Sequence, residues 1–116
     1  MPMTRAAAAL LFTAAAISQA SAEPPLPSGL FRIGGTNIRC VQAPCPTVGI
    51  VKLGPDGRPG WPIYSGARPP RIEGDAAARE AVERNWTLQG CVEVEGAFLQ
   101  PATFEVRRVV GPCGRR

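Results

Sequence analysis

Cys91 and Cys113 stand at the two ends of a stretch that has few ways to fold. Between them, Gln100-Pro101-Ala102-Thr103 reads as a turn, because proline at the second turn position presets φ. The flanking runs then pair as a hairpin, Gln100 with Thr103, Leu99 with Phe104 and Ala97 with Val106. Side chains alternate along a strand, so an unbroken ladder would turn Val92 and Val94 to the wrong face. One extra residue at Gly96, a β-bulge, is expected to restore a single apolar face of Val92, Val94, Ala97, Leu99, Phe104, Val106 and Val110. The same register sets Glu95 opposite Arg107 on the wet face and brings Cys91 close to Cys113.

A staple of that kind needs an oxidising compartment, and the start of the chain reads as an address for one. Residues 1–5 carry one positive charge, residues 6–17 are apolar, and Ala20-Ser21-Ala22 puts small residues where a signal peptidase cuts. A signal peptide over 1–22, cleaved before Glu23, is the expected reading. The apolar run falls short of the ~20 residues that a membrane span needs. Stable membrane insertion after cleavage is not expected. Removing 22 of the 116 residues leaves 94, enough for one domain with a thin core.

Four cysteines in such a chain read as two disulfides. Of the three possible pairings, the hairpin register favours Cys91–Cys113, a closure worth about 3 kcal/mol in chain-entropy terms. Cys40–Cys45 follows by elimination. Cys-x4-Cys is a poor zinc spacing and the chain has no histidine, so neither a metal nor another cofactor is expected. Beyond residue 22 the chain holds twelve basic residues, eleven of them Arg, against nine acidic ones. That small excess is ordinary for an exported domain and is not a nucleic-acid footprint.

In chain order, residues 23–29 form a Pro-rich, flexible leader, residues 30–113 a single β-rich domain, and residues 114–116 a basic tail. A first strand region over 30–41 is interrupted by Gly34-Gly35, which suggests a bulge or a coil. Residues 41–46 make a tight loop held by Cys40 and Cys45. A second strand spans 47–53, residues 54–60 are a loop around Pro55-Asp56-Gly57, and a third strand spans 61–65, where Pro62 demands an edge or a position whose N–H has no partner. Residues 66–74 read as irregular. A helix is expected over 75–85: Asp75 caps it, Ala78, Ala81 and Val82 form its apolar face, Glu80 and Arg84 pair outside, and Asn85 suits the exit. The fold class is therefore mainly β (α+β): a small five-stranded OB-like barrel or an antiparallel sheet with one short helix, stapled by disulfides.

Few groups here can do chemistry near neutral pH. Histidine, the commonest acid–base residue, is absent. Lys52 is the only lysine and is expected to face solvent from a strand. Glu93 and Glu95 share a strand face, but a glycosidase-type carboxylate pair also needs a sugar cleft that 94 residues can hardly build. No catalytic residue is assigned. Trp61 and Tyr64 with Arg58, Arg68 and Arg71 are the only set resembling a nucleic-acid groove. Its bland account is a Trp61 that covers the core beside loop arginines, and nucleic-acid binding is not expected.

What remains is recognition by shape. Val41, Gln42, Ala43, Pro44 and Pro46 lie in or beside a short ring with two prolines, and Arg68 and Arg71 mark a second exposed loop. A bridged loop loses little entropy on docking, which suits it to bind another exported or envelope protein. The bland account is that the ring merely staples a thin core. At Ile38-Arg39-Cys40-Val41-Gln42-Ala43-Pro44-Cys45-Pro46, with the strand that follows and the 57–66 stretch, the chain resembles small exported bacterial domains of unknown function that carry a Cys-x4-Cys-Pro element. The resemblance implies a bacterial, exported, β-rich domain and transfers no activity. The expectation is a periplasmic or secreted, non-enzymatic binding or envelope-associated module that binds or inhibits a partner through 41–46. The alternative is a thiol-disulfide oxidoreductase using Cys40 and Cys45, although known exchangers use Cys-x-x-Cys at a helix N-terminus.

Overall fold

A computed structural model describes residues 2–3, 8–14 and 25–114. The expected cleavage point at Ala22 and the tail residues Arg115 and Arg116 lie outside the described residues. Six strands and one helix follow in the order β1 (Ser28–Gly35), β2 (Val48–Leu53), β3 (Pro59–Ser65), β4 (Arg71–Glu73), α1 (Ala76–Thr87), β5 (Cys91–Gln100) and β6 (Thr103–Pro112). They form one sheet in the spatial order β3-β2-β1-β5-β6-β4. All pairings are antiparallel except the short β4–β6 ladder.

The sheet does not close into a barrel, so the antiparallel-sheet alternative is the one that forms. Closure would require β3 to reach the free edge of β6. That edge is taken by β4, where Arg71, Ile72 and Glu73 run parallel to Thr103, Phe104 and Glu105. β4 therefore lies within residues 66–74, where the sequence predicts irregular structure; three residues with one apolar side chain give too little alternation to announce a strand. β3 is an edge strand, the first of the two settings that Pro62 permits. β1 starts earlier than expected, at Ser28, and stops at Gly35, so residues 36–40 are a loop and not a continuation of the strand.

The core lies between one sheet face and α1. Phe31 and Ile33 on β1, Ile50 on β2, Val92, Val94 and Phe98 on β5, and Phe104 and Val106 on β6 meet Ala78, Val82 and Trp86 of the helix. Phe31, Phe98 and Phe104 contact one another edge to face, with ring centroids 4.9–5.9 Å apart. Each such pair adds about 0.5–1.5 kcal/mol to simple burial.

The hairpin forms with Gln100 opposite Thr103, but its inward set differs from the expected one. β5 keeps strict alternation through Val92, Val94, Gly96 and Phe98, and the extra residues are Arg107 and Val110 on β6 and Leu99 next to the turn. Leu99 and Val110 are exposed, and Ala97 is buried on the opposite face across from Ser28. The reason is space. Gly96 faces inward because the Phe104 ring lies over it: a β-carbon there would sit 2.9–3.0 Å from two ring carbons and would collide with the Glu105 carbonyl oxygen. The shifted register gives Glu95 to Arg108 (3.1 Å) in place of Arg107, which pairs with Glu105 on its own strand.

Asp75 caps α1, its carboxylate accepting from the Ala78 amide at 2.7 Å. The helix runs two residues past Asn85, whose side chain donates to the Ala81 carbonyl at 2.7 Å. The exit is made instead by Gln89 at φ 50° and by the Gly90 amide returning to the Asn85 carbonyl. Trp86 thereby joins the core, its indole N–H donating to the Gly66 carbonyl at 3.1 Å. The expected Glu80–Arg84 pair is not among the ion pairs that form within 4 Å.

Candidate binding site

Twelve residues join Gly35 to Val48, and none lies in a strand or helix. A structureless connection of that length is uncommon in a small domain and usually has a use. Its base is an extension of the β1–β2 ladder. Beyond the Gly35–Val48 pair, the Thr36 amide donates to the Thr47 carbonyl at 2.9 Å. The Thr36 hydroxyl, the one buried polar side chain among the described residues, donates to the Pro46 carbonyl at 2.6 Å and accepts from the Ile38 amide at 3.2 Å. Asn37, at φ 59°, takes the left-handed turn that its short amide side chain tolerates.

Above this base the Cys40–Cys45 bridge, with Cα atoms 5.5 Å apart, closes the ring. The second bridge joins Cys91 and Cys113 at 5.4 Å, and no free cysteine remains among the described residues. Both pairings are the expected ones, Cys91–Cys113 from the hairpin and Cys40–Cys45 by elimination. Val41, Gln42, Ala43 and Pro44 are exposed, Val41 completely, while Cys45 and Pro46 are half-buried at the neck. The ring is a projecting knuckle bolted to the two strands at its foot.

The candidate loop residues are not all brought together. Ala67, just before Arg68, lines the same hollow as Pro44 and Pro46. Arg71 pairs with Thr103 and is held by Glu73 at 3.0 Å. The nine steps of β5 from Cys91, beside the foot of the knuckle, to Gln100, opposite Thr103, make about 30 Å of strand. Arg71 therefore belongs to the far end of the sheet and not to the knuckle surface. Arg68 is exposed.

The hollow at the knuckle's foot encloses about 960 Å³ between Pro44, Pro46, Trp61, Gly66 and the C-terminal end of α1. Trp61 is 69 % exposed on its rim, so it does not cover the core as the bland account had it. Tyr64 does that work instead, its ring 6.0 Å from that of Trp86. The sequence signal for this site was an aromatic residue beside Pro62 on an edge strand. What it could not give was the return of Gly66 to the Trp86 indole.

Other candidate groups are tied up. Glu93 pairs with Arg32 at 3.1 Å in a mostly buried contact, and Glu95 is held by Arg108, so each carboxylate faces a guanidinium and the two do not converge on a cleft. Arg58 lies near Asp56, and Lys52 is exposed with its stem over Gly29. No group of three or more His, Cys, Asp or Glu among the described residues could hold a metal. No described helix is long and apolar enough to cross a membrane. The end of α1 that approaches Cys45 is its C-terminus, through Thr87 and Gln89. That end carries the negative pole of the helix dipole, the reverse of the N-terminal setting that favours a reactive thiolate. Two bridges in so small a chain are what an oxidising, non-cytoplasmic location produces.

No family model, curated protein or solved structure matches the chain.

Proposed function

We propose that this chain is an exported bacterial binding module, periplasmic or secreted and without catalytic activity, which presents the knuckle at 41–46 to another exported or envelope protein. An inhibitor whose knuckle inserts into an exported enzyme is the most concrete form of this reading. The observation that carries it is the combination of full exposure at Val41 with covalent closure at Cys40–Cys45 and anchoring through the buried Thr36 hydroxyl. Holding exposed residues in one shape adds nothing to a core. It does lower the entropy lost on association, because the backbone of the ring is already ordered.

The test is capture of partners from a bacterial envelope extract with the wild-type chain and with a variant carrying Val41→Ser and Gln42→Ser. A partner retained by the first and lost by the second is the expected result. Equal capture by both refutes the role of the knuckle. Thiol exchange is the competing activity. Free thiols counted after equilibration with a glutathione buffer near −250 mV should remain at zero, as for a structural bridge. Ready opening of Cys40–Cys45 under those conditions would instead support an exchanger.

A further inference from the structure

The reading of a protein partner leaves open what the hollow beside the knuckle is for, and its lining is chemically distinctive. Among the described residues none of the twelve that line it is charged, although 22 of the chain's 116 residues are Asp, Glu, Lys or Arg. Two other hollows among the described residues carry charge: one has Lys52 and Arg58, the second Asp75, Arg107 and Arg108. This one is lined by the exposed Trp61, by Pro44 and Pro46, and by the polar but uncharged Ser65, Thr87 and Gln89. Its walls are preformed. The proline side is fixed by the Cys40–Cys45 bridge, and the floor by the Trp86 indole bonded to Gly66.

We infer that this hollow binds an uncharged, proline-rich segment of the partner in the polyproline II conformation. Such a segment has no internal hydrogen bonds, so its carbonyls stand free to accept, and its proline residues have no N–H to satisfy. It needs donors and flat ring faces from its site, and gains nothing from charge. Trp61 supplies a ring face and an indole N–H together. Ser65, Thr87 and Gln89 add further donors. A stiff segment entering a rigid groove loses little entropy, the condition under which so few contacts suffice. The inference rests on the partner being a protein, and it concerns a surface distinct from the tip residues Val41 and Gln42.

The experiment titrates the oxidised chain with a capped, uncharged repeat of Pro-Pro-Leu, following tryptophan emission. A Gly-Ser peptide of equal length and a chitin oligosaccharide run alongside. Saturable binding of the Pro-Pro-Leu repeat with a blue shift is expected, with no response to the Gly-Ser peptide or the sugar. Trp61→Ala should weaken it by about tenfold or more, the range of an interface anchor. Lys52→Gln, on a different hollow, should leave it unchanged. Ser65→Asp, which puts a charge on the rim, is the second variant, and should weaken binding without touching the core. The inference is overturned if the repeat does not bind, if Trp61→Ala and Ser65→Asp bind it as well as wild type, or if the sugar binds in its place. Loss of peptide binding with partner capture still dependent on 41–46 removes this inference alone. Peptide binding with capture indifferent to 41–46 removes the knuckle reading and leaves the groove.

Discussion

Gly96→Ala is the substitution for which the structure gives the sharpest expectation. Gly96 is buried between β5 and β6, opposite Val106, with its inward side against the Phe104 ring. A methyl group placed there meets two ring carbons at 2.9 and 3.0 Å and runs into the Glu105 carbonyl oxygen. The ring can tilt, but the carbonyl belongs to the backbone of the paired strand and moves only if the strands part. Overpacking of a core costs about 1–3 kcal/mol, occasionally more. Tilting Phe104 also weakens its two edge-to-face contacts, each worth about 0.5–1.5 kcal/mol. The expected cost is therefore about 3–4 kcal/mol at this position. A domain of this size has about 5–14 kcal/mol in all, and each kcal/mol moves the midpoint by about 4–8 °C. Thermal unfolding of the oxidised protein by circular dichroism should show the midpoint falling by roughly 12–30 °C. Gly60→Ala is the control: the nearest atom to its β-carbon is the Lys52 carbonyl oxygen at 3.8 Å, an ordinary contact, and the change should stay within about 0.5 kcal/mol. A Gly96→Ala protein that melts with the Gly60→Ala protein would refute the close approach of β5 and β6. Adding Phe104→Leu should recover part of the loss and no more, because the carbonyl remains in the way.

Three further outcomes follow from contacts already described. Cys91→Ala with Cys113→Ala removes a bridge across 22 residues of sequence, and denaturant unfolding should show a loss of about 3 kcal/mol. Thr36→Val keeps the shape of the side chain but leaves the Pro46 carbonyl and the Ile38 amide without their partner. A cost of about 1–3 kcal/mol is expected, together with faster amide exchange at Ile38. Asp75→Ala deprives the Ala78 amide of its cap, and should cost about 1 kcal/mol by denaturant unfolding with no change at the knuckle.

How far the sequence announces this fold depends on whether the signal is local. The cap at Asp75, the edge position that Pro62 favours and the turn at Pro101 are set by one or two residues, and the structure has all three. The Cys91–Cys113 bridge follows from the hairpin and Cys40–Cys45 from elimination, and both form. What was hidden depends on distant partners. The inward turn of Gly96 follows from the size of a ring eight residues away on the next strand. Trp86 joins the helix because its indole finds the Gly66 carbonyl twenty residues earlier. β4 exists because the outer edge of β6 was free to take three residues in parallel. The knuckle belongs with the legible features, since its ends are cysteines and its interior contains proline. The hollow beside it does not, because its walls come from β3, α1 and the 36–47 loop together.

The two bridges differ in what they can do for the folded chain, and the difference bears on function. Cys91–Cys113 spans 22 residues and closes the open end of a hairpin, where the Cys113 amide already donates to the Cys91 carbonyl at 3.2 Å. Cys40–Cys45 spans five, and the same chain-entropy model gives it only about 2 kcal/mol. Val41 to Pro44 contribute no side chain to the core, so little packing is lost if they move. Fixing the backbone of one residue costs about 1–2 kcal/mol, and four residues lie between the cysteines. An open loop would present that cost, about 4–8 kcal/mol before the proline discount, to any partner that had to order it. Replacing Cys40 and Cys45 by serine should therefore lower stability by no more than about 2 kcal/mol. Partner affinity should fall by considerably more, about a hundredfold for each 2.7 kcal/mol of ordering that the partner must then supply. A variant that lost stability and kept its affinity would mean that the ring is a staple after all.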